Sequence, residues 1–330
     1  MSKFGLKLLS ISFLQIFLWA LDETQVKTKV KPYEKHFFSI ITQNDSYFNA
    51  YIDRYYTAGH GLLYSSKEGD YGFLNKIGFI DGVTSWSLVL NQSIYAPKDR
   101  MNPNPRRDSH PYAGYLNLGF LWHHRGENVL ENLGIRLGMT GKASLAQEVQ
   151  DFVHGALGTV ILPGWGTQLK NEFIFNLHYD VTYRFPLVDF GAFSLDALPY
   201  IEAALGNANI YLRGGAVLRI GHHLKSTFLL QGIAGENGGS NSGRVFEDGI
   251  GYYLFVGGYG GYVGRNMFIE GNSFGERRAV LKKWMGGIVA GIAIVSGVMS
   301  FSYEALYISK EFRGQDRAHG IGSFVFSWSF

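Results

Sequence analysis

A chain of 330 residues with 43 glycines, 15% aromatic residues and only 17% charged residues is long enough for one large β domain or two ordinary ones. The net charge of +3 carries no basic block, which argues against nucleic acid as a partner, and the absence of cysteine excludes a disulfide framework. Low charge with many aromatics and glycines fits a lipid-facing β surface with aromatic girdles better than a soluble exported domain.

Residues 1–20 read as a signal peptide. Lys3 and Lys7 precede the apolar run Leu8 to Trp19, and Ala20 is a cleavage candidate. Residues 21–35 are a polar periplasmic lead-in, and 36–330 form one outer-membrane β-barrel domain. About twelve strands are expected, at 36–43, 54–66, 85–95, 111–123, 132–141, 169–185, 191–204, 209–220, 249–263, 279–297, 298–312 and 320–330. The fold class is all-β, a transmembrane antiparallel barrel whose even strand number leaves both ends in the periplasm.

The strongest signal is at 171–185. Phe173, Phe175, Leu177, Tyr179, Val181, Tyr183 and Phe185 share one face, and Glu172, Asn176, His178, Asp180, Thr182 and Arg184 the other. Two-residue alternation over more than ten residues is a barrel strand, apolar outward and polar inward. The last strand alternates Phe324, Phe326, Trp328 and Phe330 with Ser323, Val325, Ser327 and Ser329, and its terminal aromatic resembles a barrel-sorting signal. Residues 286–299 are apolar on both faces but too short for a spanning helix, so a strand with Gly and Ala turned inward fits better.

One segment breaks the β pattern. Residues 144–158 predict a short extracellular helix between strands five and six, with Ser144 and Gln147 as a capping box. Leu145, Val149, Phe152, Val153 and Ala156 form its apolar face, and Gln147, Gln150, Asp151 and His154 the other.

Strand counting places the connections after strands one, three and five at the same outer rim. The first carries Asn44, Asp45 and Thr57. The second, 96–110, carries Lys98, Arg100, Arg106 and Arg107. The third carries the helix and His154. A histidine can act as general base on water near neutral pH. A carboxylate with amide and carbonyl oxygens can hold a hard cation such as Ca²⁺, which polarises an ester carbonyl. Basic side chains bind phosphate. Together they suit hydrolysis of an ester in an anionic lipid. Taken singly, a helix histidine is usually structural, Asn-Asp is ordinary turn chemistry, and a basic loop can simply bind lipopolysaccharide phosphates.

The ordered pieces Asn44-Asp45, Asp53 to Gly59, Tyr95-Ala96-Pro97, Pro111-Tyr112-Ala113-Gly114, Gln147 to Gln150 with His154, Gly164-Trp165 and Gln168 to Glu172 resemble the outer-membrane lipid A 3′-O-deacylase family. The resemblance covers 44–172, and the remainder matches only as barrel strands. It implies a twelve-stranded barrel that binds Ca²⁺ and removes the 3′ acyl or acyloxyacyl group of lipid A; a monomer is expected. It implies His154 as the base, Asn44 and Asp45 as the metal and oxyanion site, Thr57 as their support, and Lys98, Arg100, Arg106 or Arg107 as phosphate ligands. The sequence departs from the family at Gln43 (usually Glu), at Ser109-His110 (usually Asp-Arg), and at Val160, where some members are acidic. Asp151, one turn before His154, is then a candidate to orient the imidazole.

Two other readings compete. A non-enzymatic pore or adhesin needs only the barrel. A serine esterase would use Ser273 in Gly271-Asn272-Ser273-Phe274-Gly275, without the strand–turn–helix setting of a nucleophile elbow. The pairs His123-His124 and His222-His223 cannot chelate simply, because strand neighbours point to opposite faces. Both pairs read as interfacial or loop residues. Gly257 to Gly261 lies inside a strand and is not a nucleotide loop.

Overall fold

The long alternating segments do form one closed antiparallel sheet. The computed structural model describes residues 30–49, 54–228 and 249–330. The signal-peptide expectation, most of the lead-in and Asp53 fall outside these residues. The strands are β1 (Phe37–Asn44), β2 (Tyr55–Ser65), β3 (Val83–Ala96), β4 (Ala113–Arg125), β5 (Val129–Thr140), β6 (Glu172–Tyr183), β7 (Phe185–Asp189), β8 (Ser194–Gly206), β9 (Asn209–His222), β10 (Ile250–Asn266), β11 (Trp284–Ser296), β12 (Met299–Ile308) and β13 (His319–Ser329). β6 and β7 are two parts of one stave, since both pair with β8. The break falls at Arg184 and Pro186, where proline cannot donate to the ladder. Twelve staves result. Each pairs with its sequence neighbour, and β1 closes the barrel on β13, Phe37 opposite Ser329 and Asn44 opposite Gly322.

Alternation sorts the side chains as expected. Ile40, Leu62, Leu90, Leu118, Phe173 and Leu254 stand on the outer surface. A girdle of Tyr64, Trp86, Phe120 and Trp122 runs around one end, with ring centroids 4.7–6.0 Å apart. Residues 286–296 are indeed strand. Ile288, Ile292 and Ile294 face out, and Val289, Ala293 and Val295 are buried on the inner side.

The lumen is filled. Across its lower half a hydrogen-bonded row runs from Ser65 to Ser87 (2.5 Å), His123 (2.7 Å), Asn132 (2.7 Å) and Asp180 (2.6 Å). Arg219 makes a two-armed pair with Asp196 (2.6 and 2.9 Å). Such pairing is what allows charge to be buried. His123 therefore belongs to the lumen, not to an interface or loop, while His124 takes the opposite face of the strand and is buried there next to Gly78. Toward the rim the filling is aromatic. Phe268, on the single helical turn Met267–Glu270, is fully buried and stacks on Tyr95 at 4.8 Å, and Tyr56 meets Tyr95 edge-on at 5.4 Å. This packing is not that of an open pore.

The helix α1 spans Ala146–Leu157. Its start differs from expectation. Leu145 precedes it in the left-handed region (φ 56°), and the Ser144 hydroxyl donates to the Gly141 carbonyl, so no capping box forms. The 3₁₀ turn Gly141–Ser144 supplies that local partner first.

Candidate active site

α1 lies against the outside of the barrel, not over its mouth. Ala146 is buried with Ile94, Ala96, Tyr112, Leu162 and Trp165, and Ala58 and Val149 pack on the same cluster. In the β3 alternation Ile94 and Ala96 are outward residues, since Ser93 and Tyr95 line the lumen. Gln92, on the same outer face, donates to the Ser144 carbonyl at 2.7 Å. Gly114 on β4 makes the approach possible: a Cβ there would strike Ser144 and Ala146. Trp165, from the 3₁₀ turn Pro163–Thr167, donates to Gln150 at 2.9 Å and pins the helix from its far side.

The helix is turned inside out relative to a soluble one. Its buried residues are Ala146 and Gln150. Phe152, Val153 and Leu157 are exposed, whereas Gln147, Asp151 and His154 are half-buried. Outside a membrane barrel, exposure means lipid, so the apolar stripe belongs there and the polar stripe turns to the wall. Sequence reasoning found both faces. Which one met the protein depended on the solvent.

His154 is fixed within its own loop. Its Nδ1 lies 2.7 Å from the Val160 carbonyl. A carbonyl only accepts, so Nδ1 carries the proton and the Nε2 lone pair of the neutral ring is the available base. Asp151 does not orient the ring as expected. Its carboxylate accepts from Gln147 at 3.4 Å, one turn back. The backbone of the very residue that replaces an acidic side chain in this sequence supplies the contact instead.

Asn44 and Asp45 end β1 and open a 3₁₀ turn, Asp45–Tyr47. The Asn44 amide oxygen caps this turn, accepting from Ser46 N at 2.8 Å. Asp45 is buried and accepts from Arg54 N at 2.7 Å, which ties the two ends of the loop. Tyr47 and Phe48 then fold over the outer faces of β12 and β13. Tyr303 donates to the Tyr47 carbonyl (3.0 Å), and Phe48 stacks on Tyr307 at 6.0 Å. Gly320 and Gly322 leave the room, since a Cβ would meet the Phe48 ring at the first and the Tyr47 Cβ and backbone at the second.

Thr57 is the extra residue of a bulge between Tyr56 and Ala58, two residues after Tyr55 at φ 66°. Bulges and left-handed non-glycine residues gather where a strand re-aims its side chains. The buried Thr57 hydroxyl donates to the Ile94 carbonyl at 3.1 Å. Asn44 pairs with Ala58 across the sheet, and Ala58 packs on the cluster that seats α1. Asn44 and α1 thus share one sector of the outer wall, with Asp45 and Thr57 buried next to it in chain and sheet.

The basic loop is divided. Lys98 (3.0 Å) and Arg54 (3.0 Å) both hold Asp316, which also accepts from Tyr55 at 2.9 Å. These cationic and hydroxyl partners keep the Asp316 carboxyl below the usual carboxylate range against a partial burial that raises it. This group roofs the lumen with the buried His110, whose pKa burial pushes down to about 4. The Arg100 carbonyl accepts from Tyr112. Arg106 pairs with Asp108 and Arg107 with Glu276, all four exposed. The loop's basic side chains therefore point to several places and not to one phosphate.

Ser273 has no triad setting. Its hydroxyl takes a hydrogen bond from Arg265 (3.1 Å), and its backbone N–H goes to Glu172 (2.9 Å). Gly257 to Gly261 lies inside β10. Among the described residues, no cluster of three or more His, Asp or Glu is placed to hold a metal. The donors at the end of β1 are all oxygens, with Asp45 as the anion, which is the chemistry a hard cation needs. The sequence did not reveal the Val160 carbonyl as a partner of His154, because a backbone group leaves no signature in residue type.

The model of the outer membrane protein LpxR family matches residues 8–330. The solved structure of LpxR from Salmonella typhimurium superposes with a TM-score of 0.75 at 20% identity, covering 89% of this chain and 100% of that one. The β domain of the Bordetella autotransporter BrkA is a more distant match, with a TM-score of 0.44 at 12% identity, covering 90% of this chain and 98% of that one. A search of the curated proteins finds no match. With a closed twelve-stave barrel and a family match over nearly its whole length, the chain is an outer-membrane protein and belongs to the LpxR family, the lipid A deacylase family that its motifs resemble.

Proposed function

We propose that this chain is a lipid A 3′-O-deacylase, acting as a monomer on lipid A in the outer leaflet. The observation that carries the reading is the His154 hydrogen bond to Val160, which leaves Nε2 as a base on the wall-facing stripe of a helix that borders lipid. The substrate arrives sideways, through the membrane, and the reacting ester meets the outer wall where Asn44, Asp45 and Thr57 gather.

In this reading Nε2 of His154 takes a proton from water as the water oxygen attacks the ester carbonyl. The C–O bond to the sugar then breaks, and the imidazolium returns the proton to the departing 3′ oxygen. The products are a free fatty acid, or an acyloxyacyl acid, and a 3′ hydroxyl. The ring alternates between neutral and protonated forms while Val160 holds its orientation, as fixed partners of catalytic histidines do. Asp45 and Asn44 would hold Ca²⁺, whose charge favours the negative oxygen that develops on the carbonyl. Thr57, anchored to Ile94, keeps the bulge in shape. The 96–110 loop, with Lys98, Arg100, Arg106 and Arg107, offers positive charge to the phosphates.

The test is to express the chain in an outer membrane of known lipid A and weigh that lipid A by mass spectrometry. Wild type removes the 3′ acyl mass. His154→Ala slows removal by about 10²–10⁴-fold while the barrel still assembles. EDTA stops the wild type. Unchanged lipid A from well-assembled wild-type barrels overturns the reading, and removal that survives EDTA overturns the Ca²⁺ part alone.

A further inference from the structure

Three loops that are distant in sequence lock together on the rim beside β10 and β11. The Asn272 side chain imitates a strand partner for Lys170, accepting from its N–H at 2.9 Å and donating to its carbonyl at 3.0 Å. Asn272 and Ser273 also donate to Glu172, at 3.0 and 2.9 Å. The Ser273 hydroxyl takes a bond from Arg265. Past the tip, the Arg278 N–H returns to the Glu270 carbonyl at 2.9 Å. A surface loop held at so many points presents its side chains in fixed positions.

What it presents is unbalanced charge. Arg107, from the basic loop, reaches Glu276 at 2.5 Å. Arg278 lies half-buried two residues beyond Glu276, and its guanidinium donates to the Thr167 carbonyl at 3.0 Å. Thr167 belongs to the turn whose Trp165 pins α1. Burial lowers the pKa of Arg278, and the nearby charge of Arg107 lowers it further, against Glu276. Arg107 is thus paired with Glu276, and Arg278 follows two residues later on the same pinned loop with its guanidinium on Thr167, while Arg277 and Lys170 add exposed positive charge nearby. Phe274, at the tip of the same loop, is fully exposed.

A phosphate monoester carries more charge than a carboxylate and three oxygens, and it fits two planar guanidinium forks at once. An exposed ion pair such as Arg107–Glu276 contributes little stability, so it yields to a stronger anion. We propose that Arg107 and Arg278 form a clamp for a phosphate group of the glycolipid, that Glu276 holds the clamp in register until the phosphate displaces it, and that Phe274 rests on the apolar part of the same ligand. This rests on the lipid A reading, and it adds to the 96–110 loop a second arm, from the β10–β11 connection.

The experiment measures binding, separately from turnover, in a His154→Ala background. The ligands are bisphosphorylated lipid A, the same lipid stripped of phosphate, and inorganic phosphate. Arg278→Gln is expected to weaken binding of the bisphosphorylated lipid at least tenfold and to leave the stripped lipid unchanged. Glu276→Gln is expected to tighten the bisphosphorylated lipid severalfold, because its competitor is gone. Weak competition by millimolar inorganic phosphate identifies the lipid head group as the ligand. Competition at micromolar phosphate would make the site one for free phosphate and overturn the lipid assignment. An Arg278→Gln variant that binds both lipids as the parent does, or loses both equally, overturns the clamp. If the protein with His154 intact removes the acyl chain while Arg278→Gln is indifferent, only the clamp has failed. If the intact protein neither binds nor cleaves lipid A, both readings fail.

Discussion

The same strands, β2 to β4, carry two different environments on their two faces near the rim. The inner face holds Tyr56, Tyr95 and Tyr115, packed with Phe268 and roofed by the Arg54–Asp316–Lys98 group. The outer face holds Ala58, Ile94, Ala96 and Gly114, small or aliphatic residues that accept a helix. In most membrane barrels the lumen carries the chemistry and the outer wall is plain solvent for lipid chains. Here the lumen is packed with buried side chains, and the candidate residues Asn44 and His154 stand at the outer wall, the side that borders lipid. The small side chains on the outside are as much part of the candidate site as His154, because they let α1 sit close enough to bring its polar stripe to the wall.

The sharpest way to break this division is Gly114→Val. The added side chain collides with Ser144 and Ala146, which β4 and the 3₁₀ turn hold firmly, so α1 must lift from the wall. Deacylation is expected to fall at least a hundredfold, while the barrel retains its resistance to unfolding in detergent at room temperature. Activity near the wild-type level would mean that contact between α1 and the wall is not needed. The complementary test acts on the lumen. Phe268→Ala with Tyr115→Ala removes two packed rings from the lumen, where their centroids lie 5.2 Å apart. Planar bilayers should record small-ion leak from this variant and none from the wild type, with deacylation reduced far less than by Gly114→Val. A conducting wild type would restore the pore reading.

The two faces also differ in how well they could be read from sequence. Two-residue alternation gave twelve staves, their order and the shared rim, because lipid outside and polar pairs inside impose a strong period. β6 and β7 together match the expected 169–185 stave, and Ile288, Ile292 and Ile294 face out as 286–299 required. Strand counting put the connections with Asn44, Asp45 and Thr57, the basic loop and the α1 segment at the same rim. What stayed hidden was geometry without a residue signature: the Val160 carbonyl on His154, the bulge at Thr57, the placement of α1 on the wall instead of across the mouth. The basic loop hid its partners in a different way. Its charges looked alike in sequence, but Lys98 closes the roof with Asp316, Arg106 folds onto Asp108, and Arg107 reaches across to Glu276.

A smaller effect separates the roof from the wall by pH. His110 is buried against Tyr55, Tyr95 and Phe312, and its Nδ1 donates to the Pro111 carbonyl at 2.9 Å. Its pKa falls from an ordinary 6.5 to about 4. The unfolded chain therefore takes up this proton first as the medium acidifies. The neutral ring's contribution is complete above pH 6.5 and declines as pH falls toward 4, by roughly 2 kcal/mol at pH 5. His110→Phe cannot take up the proton. Its unfolding midpoint should change less between pH 7 and pH 5 than that of wild type. An unaltered pH dependence would show that His110 is not the group that titrates.

The smallest expected effect bears on how the base is held. A carboxylate one helical turn before a histidine is a natural orienting partner, and Asp151 stands there. Its carboxylate bonds to Gln147, while the His154 ring is satisfied by Val160. Asp151→Asn keeps an acceptor oxygen for Gln147 and removes only a charge, so turnover should stay within about twofold of wild type, with substrate binding unchanged. Thr159 and Val160 are the residues to perturb instead. The Thr159 N–H donates to the His154 carbonyl at 2.8 Å, so the same short turn that ends the helix aims the Val160 carbonyl at the ring. Val160→Pro keeps that carbonyl but restricts Thr159 to extended conformations and re-aims the turn. It should lower turnover more than affinity, whereas Val160→Ala should do little. A large loss with Asp151→Asn and none with Val160→Pro would transfer the orienting role to the carboxylate, and α1 would then aim its base from within the helix and not from the turn that ends it.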